Sequence, residues 1–264
     1  MQIQRAGFFL LLLLNACVAG GETISLRLVG DWTSDKGSVA PLLQSVAGEL
    51  IPLFPEHGLP VIEVEQKGGP ITLFKRGPNG EIRVKLASEG TLWAQYSFQF
   101  AHELGHIVCR YDDDNHSNKW FEESVCEMAS LFVLRRMAVS WEKSAPFPNW
   151  AGYRASLKSY ADDRLKKSAL PAGQNLAAWY AERAESFRKN ATQRESNLVV
   201  AAALLPYFEE KPERWRAFWF LNVEKMTPAH GVEEYFAAWR KHCPEELKPV
   251  VAEVAQRLGV ALRD

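Results

Sequence analysis

Residues 100–132 read FAHELGHIVCRYDDDNHSNKWFEESVCEMASLF, and this stretch decides both the fold and the chemistry of the 264-residue chain. Apolar and aromatic positions Trp93, Tyr96, Phe100 and Leu104 recur at helical spacing, which predicts a helix over roughly Leu92 to Cys109, capped by Thr91. On that helix His102 and His106 are one turn apart. Residues at that spacing share a face, so both imidazoles can reach one metal ion. Glu103, between them, has no need to be a ligand and is placed to take a proton from an attacking water. The acidic run Asp112 to Asp114 with Asn115 ends the helix in a polar loop.

Catalytic zinc takes three protein ligands and keeps a position open. Downstream, Glu123 and Glu127 are four apart on a helix rich in Val125, Met128, Ala129, Leu131 and Phe132. Carboxylates on an apolar helix need partners. Glu123 as third ligand and Glu127 as hydrogen-bond acceptor for a ligand imidazole would supply them. The bland alternative puts both, with Glu122, on a solvent edge. Asp112 is a rival ligand, in a geometry where Cys109 stands at the place a sharp glycine turn would need. His116 is a further one.

His102-Glu103-Leu104-Gly105-His106 followed by Trp120-Phe121-Glu122-Glu123 resembles the gluzincin branch of zinc metallopeptidases (peptidase MA-like), over roughly Phe100 to Phe132. In aminopeptidase members the second motif is Trp-x-Asn-Glu-Gly; Trp120 and Glu123 match, whereas Glu122 and Ser124 depart from it. Glu127 matches the acidic residue that supports a His in thermolysin-like members. The exopeptidase motif Gly-x-Met-Glu-Asn is absent, so an aminopeptidase is not implied. The resemblance implies Zn2+ held by His102, His106 and Glu123, Glu103 as general base, and a peptide or protein substrate cleaved internally. It also implies an oxyanion-stabilising Tyr or His from the helical half, with Tyr153, Tyr207, His230 and Tyr235 as candidates. The strand before the active-site helix, Glu81 to Leu86, would be the edge that pairs with substrate.

Outward from the motif, the N-terminal side is mostly β. Strands are expected over Ile24–Val29, Val61–Glu65, Ile71–Lys75 and Glu81–Leu86, with a helix over Val39–Leu53 and a strong turn at Gly77-Pro78-Asn79-Gly80. After Lys119 the pattern is helical, punctuated by prolines. The expected class is α+β, zincin-like: a small twisted β-sheet with a helix, then the HExxH helix and a mainly helical C-terminal part. Its divisions are a leader at 1–21, an α+β part at 22–114 that includes the HExxH helix, and a helical part at 115–264 that carries the third ligand. The tryptophans at 150, 179, 215, 219 and 239 fall in helical patterns and are expected to pack between helices.

The first residues, MQIQRAGFFLLLLLNACVAGGE, have Arg5, an unbroken apolar run and then small residues, which is an export signal too short to span a membrane well. Cleavage after Ala19 or Gly20 would give a soluble periplasmic or extracellular protein. Leu14-Asn15-Ala16-Cys17 resembles a lipobox, which would give a lipid anchor at Cys17. Formal net charge is −1 without a basic stripe, which argues against nucleic acid as a partner. Cys109, Cys126 and Cys243 are too few for a disulfide scaffold; Cys109 and Cys126 can be near enough to pair, or can be buried thiols. Two other functional classes stay open: an exported, non-catalytic zinc-binding or structural protein, and a zinc hydrolase of a non-peptide amide or ester.

Overall fold

A computed structural model describes residues 24–55, 58–113 and 116–262. The segment expected to be a leader, with Cys17, and Asp114 and Asn115 of the polar loop lie outside the described residues. The fold is α+β: a small mixed sheet followed by a mainly helical part.

The sheet contains β1 (Leu26–Val29), β2 (Ile62–Gln66), β3 (Ile71–Leu73) and β4 (Ile82–Leu86), in the order β1-β2-β4-β3. β1, β2 and β4 run parallel, and β3 lies antiparallel on β4 with Thr72 opposite Val84. Alternation sets the faces: Ile62 and Val64 of β2, and Ile82, Val84 and Leu86 of β4, point into the core. Helix α1 (Lys36–Leu50) crosses over between β1 and β2 and buries Val39, Leu42, Leu43, Val46 and Leu50. Asp35 caps it, accepting from Gly37 N–H at 3.2 Å. The expected continuation to Leu53 is a single 3-10 turn, Ile51–Leu53, because Pro52 has no N–H to extend the α ladder.

The sheet order corrects one expectation. The strand at Glu81 to Leu86 is interior, flanked by β2 and β3, and the sheet edges are β1 and β3. β4 leads in sequence to the helix that carries His102 and His106, but β3 folds back over its outer side. The turn that returns β3 to β4 is held by Glu81, whose carboxylate accepts from the Asn79 side chain and backbone, each at 2.9 Å, and from Arg27 at 3.0 Å. The bonds from the Asn79 side chain, then its backbone, hold the Glu81 carboxyl down at about 2.

Helix α2 (Trp93–Val108) carries the motif, and α3 (Lys119–Ser144) follows the polar loop. The α2 start differs from expectation. Leu92 occupies the cap and no side chain caps it; the Thr91 carbonyl takes the Trp93 N–H instead. A buried polar cluster fixes this end to the sheet: Gln66 donates to the Tyr96 hydroxyl at 3.1 Å and to the Ser88 carbonyl at 2.9 Å, and Ser34 meets the Tyr96 hydroxyl at 2.7 Å.

α3 is buried from Trp120 to Leu134 over nearly every face, because α1, α2, α4 (Arg154–Lys167) and α7 (Arg194–Glu210) surround it. Two short helices, α5 (Leu176–Ala181) and α6 (Ala184–Lys189), follow α4. A 3-10 segment at Pro212–Phe220, α8 (Val232–His242) and α9 (Lys248–Leu258) complete the chain. The aromatic residues pack as expected: Trp215 and Trp239 are fully buried, and Phe218 stacks on Trp239 at 5.4 Å. One hydrophobic core runs from Val39 to Val260, so the N-terminal and helical parts share it.

Gly105 sets the distance between α2 and α3. A Cβ there would lie 2.8 Å from the Cys126 Cα and 2.9 Å from its Sγ. In an open helix Gly→Ala stabilises by about 0.5–1 kcal/mol. Here the obstruction is backbone, and overpacking costs about 1–3 kcal/mol or more, so the penalty wins. Gly105→Ala should lower the melting temperature by roughly 2–4 °C per kcal/mol lost. A thermal melt equal to or above wild type would show that the helices separate freely.

Candidate active site

The face of α2 that carries His102 and His106 meets α3 where Glu122, Glu123, Cys126 and Glu127 project. Glu123 lies between the imidazoles: His102 Nε2 is 3.4 Å from Oε2, and His106 Nε2 is 3.8 Å from Oε1. Ligand atoms around a tetrahedral zinc, with bonds of about 2.0–2.1 Å, lie about 3.4 Å from one another. The spacing therefore suits two imidazoles and a carboxylate closing on one ion, and the donor types suit zinc. Each imidazole faces a different carboxylate oxygen, however, so one oxygen serving the ion requires the Glu123 carboxyl to turn.

A second donor set shares both histidines. Single atoms of His102, His106 and Cys126 lie within 4.8 Å of one another. Cys126 is completely buried at the α2–α3 contact, and burial raises its thiol well above its ordinary pKa. An ion held there would face the protein interior, whereas one held by Glu123 faces the cleft described below.

The outer nitrogens of the imidazoles are also engaged. His106 Nδ1 meets Glu122 Oε1 at 2.6 Å. Asn222 donates to the other Glu122 oxygen at 2.7 Å and to the Cys109 carbonyl at 3.0 Å, and accepts from the Tyr235 hydroxyl at 2.7 Å. This chain of bonds ties His106 to the C-terminal helices. Burial depresses His106, but the bond and charge of Glu122, with Glu123 and Glu103 behind it, push its pKa up to about 9. Glu127 lies 3.7 Å from His102 Nδ1, an ion-pair separation rather than a hydrogen bond. Burial raises the Glu127 carboxyl, against the charges of His102 and Arg194. Burial also raises Glu123, but contact with His102 and the charges of His106, His102 and Arg194 outweigh it and leave the carboxyl below its ordinary value.

Glu103 is 2 % exposed and turns toward β3, where Oε2 accepts from the Thr72 hydroxyl at 2.7 Å. A cleft of about 300 Å³ opens above, lined by Thr72, His102, Glu103, His106, Glu123 and Arg194. β3 packs on α2 and α7 packs on α3, so β3 forms one wall and the start of α7 the other. Ile71 and Phe74, 44 % and 54 % exposed, supply apolar surface to the β3 wall. Tyr111 stacks on Phe74 and donates to the Leu73 carbonyl at 3.0 Å.

Five expected site residues, His102, Glu103, His106, Glu123 and Glu127, thus come together. Asp112 reaches the cleft rim, but its carboxylate is paired with Lys225 at 3.1 Å. His116 is buried against the Tyr235 ring and accepts from the Asn118 N–H. None of Tyr153, Tyr207, His230 and Tyr235 lines the cleft: Tyr153 accepts from Ala94 N–H, Tyr207 lies under Arg214, His230 bonds Thr227, and Tyr235 bonds Asn222. Cys109 and Cys126 are both free buried thiols.

Sequence reasoning missed Glu122, Thr72, Asn222, Arg194 and Cys126 as a donor. Only Glu122 carried a signal: beside Glu123 on a helix it is rotated by about 100° and can serve the second His. Comparison of the chain with family models, curated proteins and solved structures finds no match.

Proposed function

We propose that the protein is a gluzincin-like zinc metallopeptidase that acts after export and cleaves peptide bonds within a chain. The convergence of His102, His106 and Glu123 at the floor of an open cleft, with Glu103 anchored beside them by Thr72, carries this reading. Zinc held there supplies Lewis acidity and lowers the pKa of the attacking water. The Glu103 carboxylate takes the water proton and returns it to the departing amine. Thr72 keeps that carboxylate in one orientation through the exchange. Glu122 and Glu127 orient the imidazoles from behind. The free edge of β3 supports main-chain pairing with an extended substrate, and Ile71 and Phe74 favour apolar side chains next to the scissile bond.

Zinc-loaded protein should cleave a diverse peptide library at internal bonds, and a chelator should stop it. Release of single terminal residues would replace the endopeptidase reading, and turnover of amides or esters without peptide cleavage would replace the peptidase reading. A second reading, a zinc that only joins α2 to α3, draws on the His102, His106 and Cys126 set.

A further inference from the structure

We infer that Arg194 is the group that stabilises the oxyanion formed when peptide is hydrolysed in this cleft, a role that rests on the peptidase reading. A tetrahedral addition places two demands on opposite sides of the reacting carbon. A base must accept the water proton, and a donor must meet the carbonyl oxygen as it takes up charge. The base side is the β3 wall, where Thr72 fixes Glu103. Across the metal-binding trio lies the first turn of α7, and there Arg194 lines the cleft.

Arg194 is exposed, and among the described residues its guanidinium makes no hydrogen bond or ion pair. Its five N–H donors are therefore available to a ligand. Its position is near the chemistry: it lines the same cleft as His102, Glu103, His106 and Glu123. Lys119, the other cation of the cleft, lies over the Phe74 ring and donates to the Asp112 carbonyl, at the end away from α7. The residues that the family resemblance nominates for this role are all engaged outside the cleft, as described above.

Water oxygen bonds to the carbonyl carbon, its proton passes to Glu103, and the C=O π pair moves onto oxygen. Arg194 donates hydrogen bonds to that oxygen without losing a proton. The pair then returns, the C–N bond breaks, and Glu103 delivers the proton to nitrogen. Such a donor acts on the transition state and leaves binding of the neutral peptide nearly unchanged.

Arg194→Met and Arg194→Lys are compared with wild type, all zinc-loaded, for kcat, KM and affinity for a phosphinic peptide, whose tetrahedral anion imitates the oxyanion. Arg194→Met should lower kcat by about 10²–10³-fold, leave KM and zinc content nearly unchanged, and weaken the phosphinic peptide by a comparable factor. Arg194→Lys should recover part of each loss. Unchanged kcat with raised KM, or equal phosphinate affinity in wild type and Arg194→Met, would overturn the assignment. If zinc-loaded wild type cleaves no peptide, the peptidase reading falls and the oxyanion role falls with it; peptide cleavage with equal phosphinate affinity in wild type and Arg194→Met overturns the Arg194 role alone.

Discussion

Glu103→Gln should reduce peptide hydrolysis by about 10²–10⁴-fold while zinc stays bound in full. The substitution tests chemistry rather than shape. Glutamine has the same length, and its amide oxygen can still accept from the Thr72 hydroxyl that now bonds Oε2 at 2.7 Å. The neighbouring imidazoles keep their partners on α3, because neither touches the Glu103 carboxylate through a hydrogen bond. What disappears is the ability to carry a proton. Metal analysis and steady-state kinetics on the same sample separate the two effects. A Glu103→Gln protein with wild-type turnover and full zinc would remove Glu103 from the mechanism. Replacement of a buried carboxylate by a neutral amide should, if anything, leave the melting temperature the same or raise it.

The second large effect distinguishes the two donor sets. Glu123→Gln should weaken zinc by more than about 100-fold, beyond the range for loss of a supporting group, whereas Cys126→Ser should leave it within a few-fold of wild type. A catalytic ion needs an open position toward substrate. Glu123 offers that from the cleft floor. Cys126 is packed against Gly105 in the helix contact, and its burial opposes the thiolate that a ligand must be. Cobalt in place of zinc adds an independent readout, since thiolate-to-metal absorption accompanies only the Cys126 set. Retention by Glu123→Gln with loss in Cys126→Ser would establish a closed, structural site and overturn the catalytic reading.

The parts of the fold that were legible in the sequence are those written in local periodicity. The alternation of Ile62 to Gln66 and Ile82 to Leu86 marks half-buried strands, and the spacing of Trp93, Phe100 and Leu104 marks α2. Sheet order was not legible. Whether β3 or β4 forms the edge depends on pairing between residues distant in sequence, and no local pattern encodes it. The site divides in the same way. His102, Glu103, His106, Glu123 and Glu127 lie on two consecutive helices, where helical geometry alone predicts shared faces. Thr72, Arg194 and Asn222 arrive from a strand, a later helix and a late turn. Nothing around them in sequence distinguishes them from ordinary surface or loop residues.

The brevity of β3 has a bearing on how readily this edge can pair with another copy of the chain. An unpaired strand edge is a template for any extended chain, including another molecule of the same kind during folding. β3 spans only Ile71–Leu73, and Pro70 immediately before it has no N–H to offer. Tyr111 further claims the Leu73 carbonyl. Few main-chain groups are left for a second edge to grip, so stacking into a continued sheet gains little at each step. In the proposed peptidase, a single short peptide segment, helped by Ile71 and Phe74, would still have enough to hold. Under the proposed peptidase reading, the same truncation would favour brief, transient contacts of this edge with substrate chains.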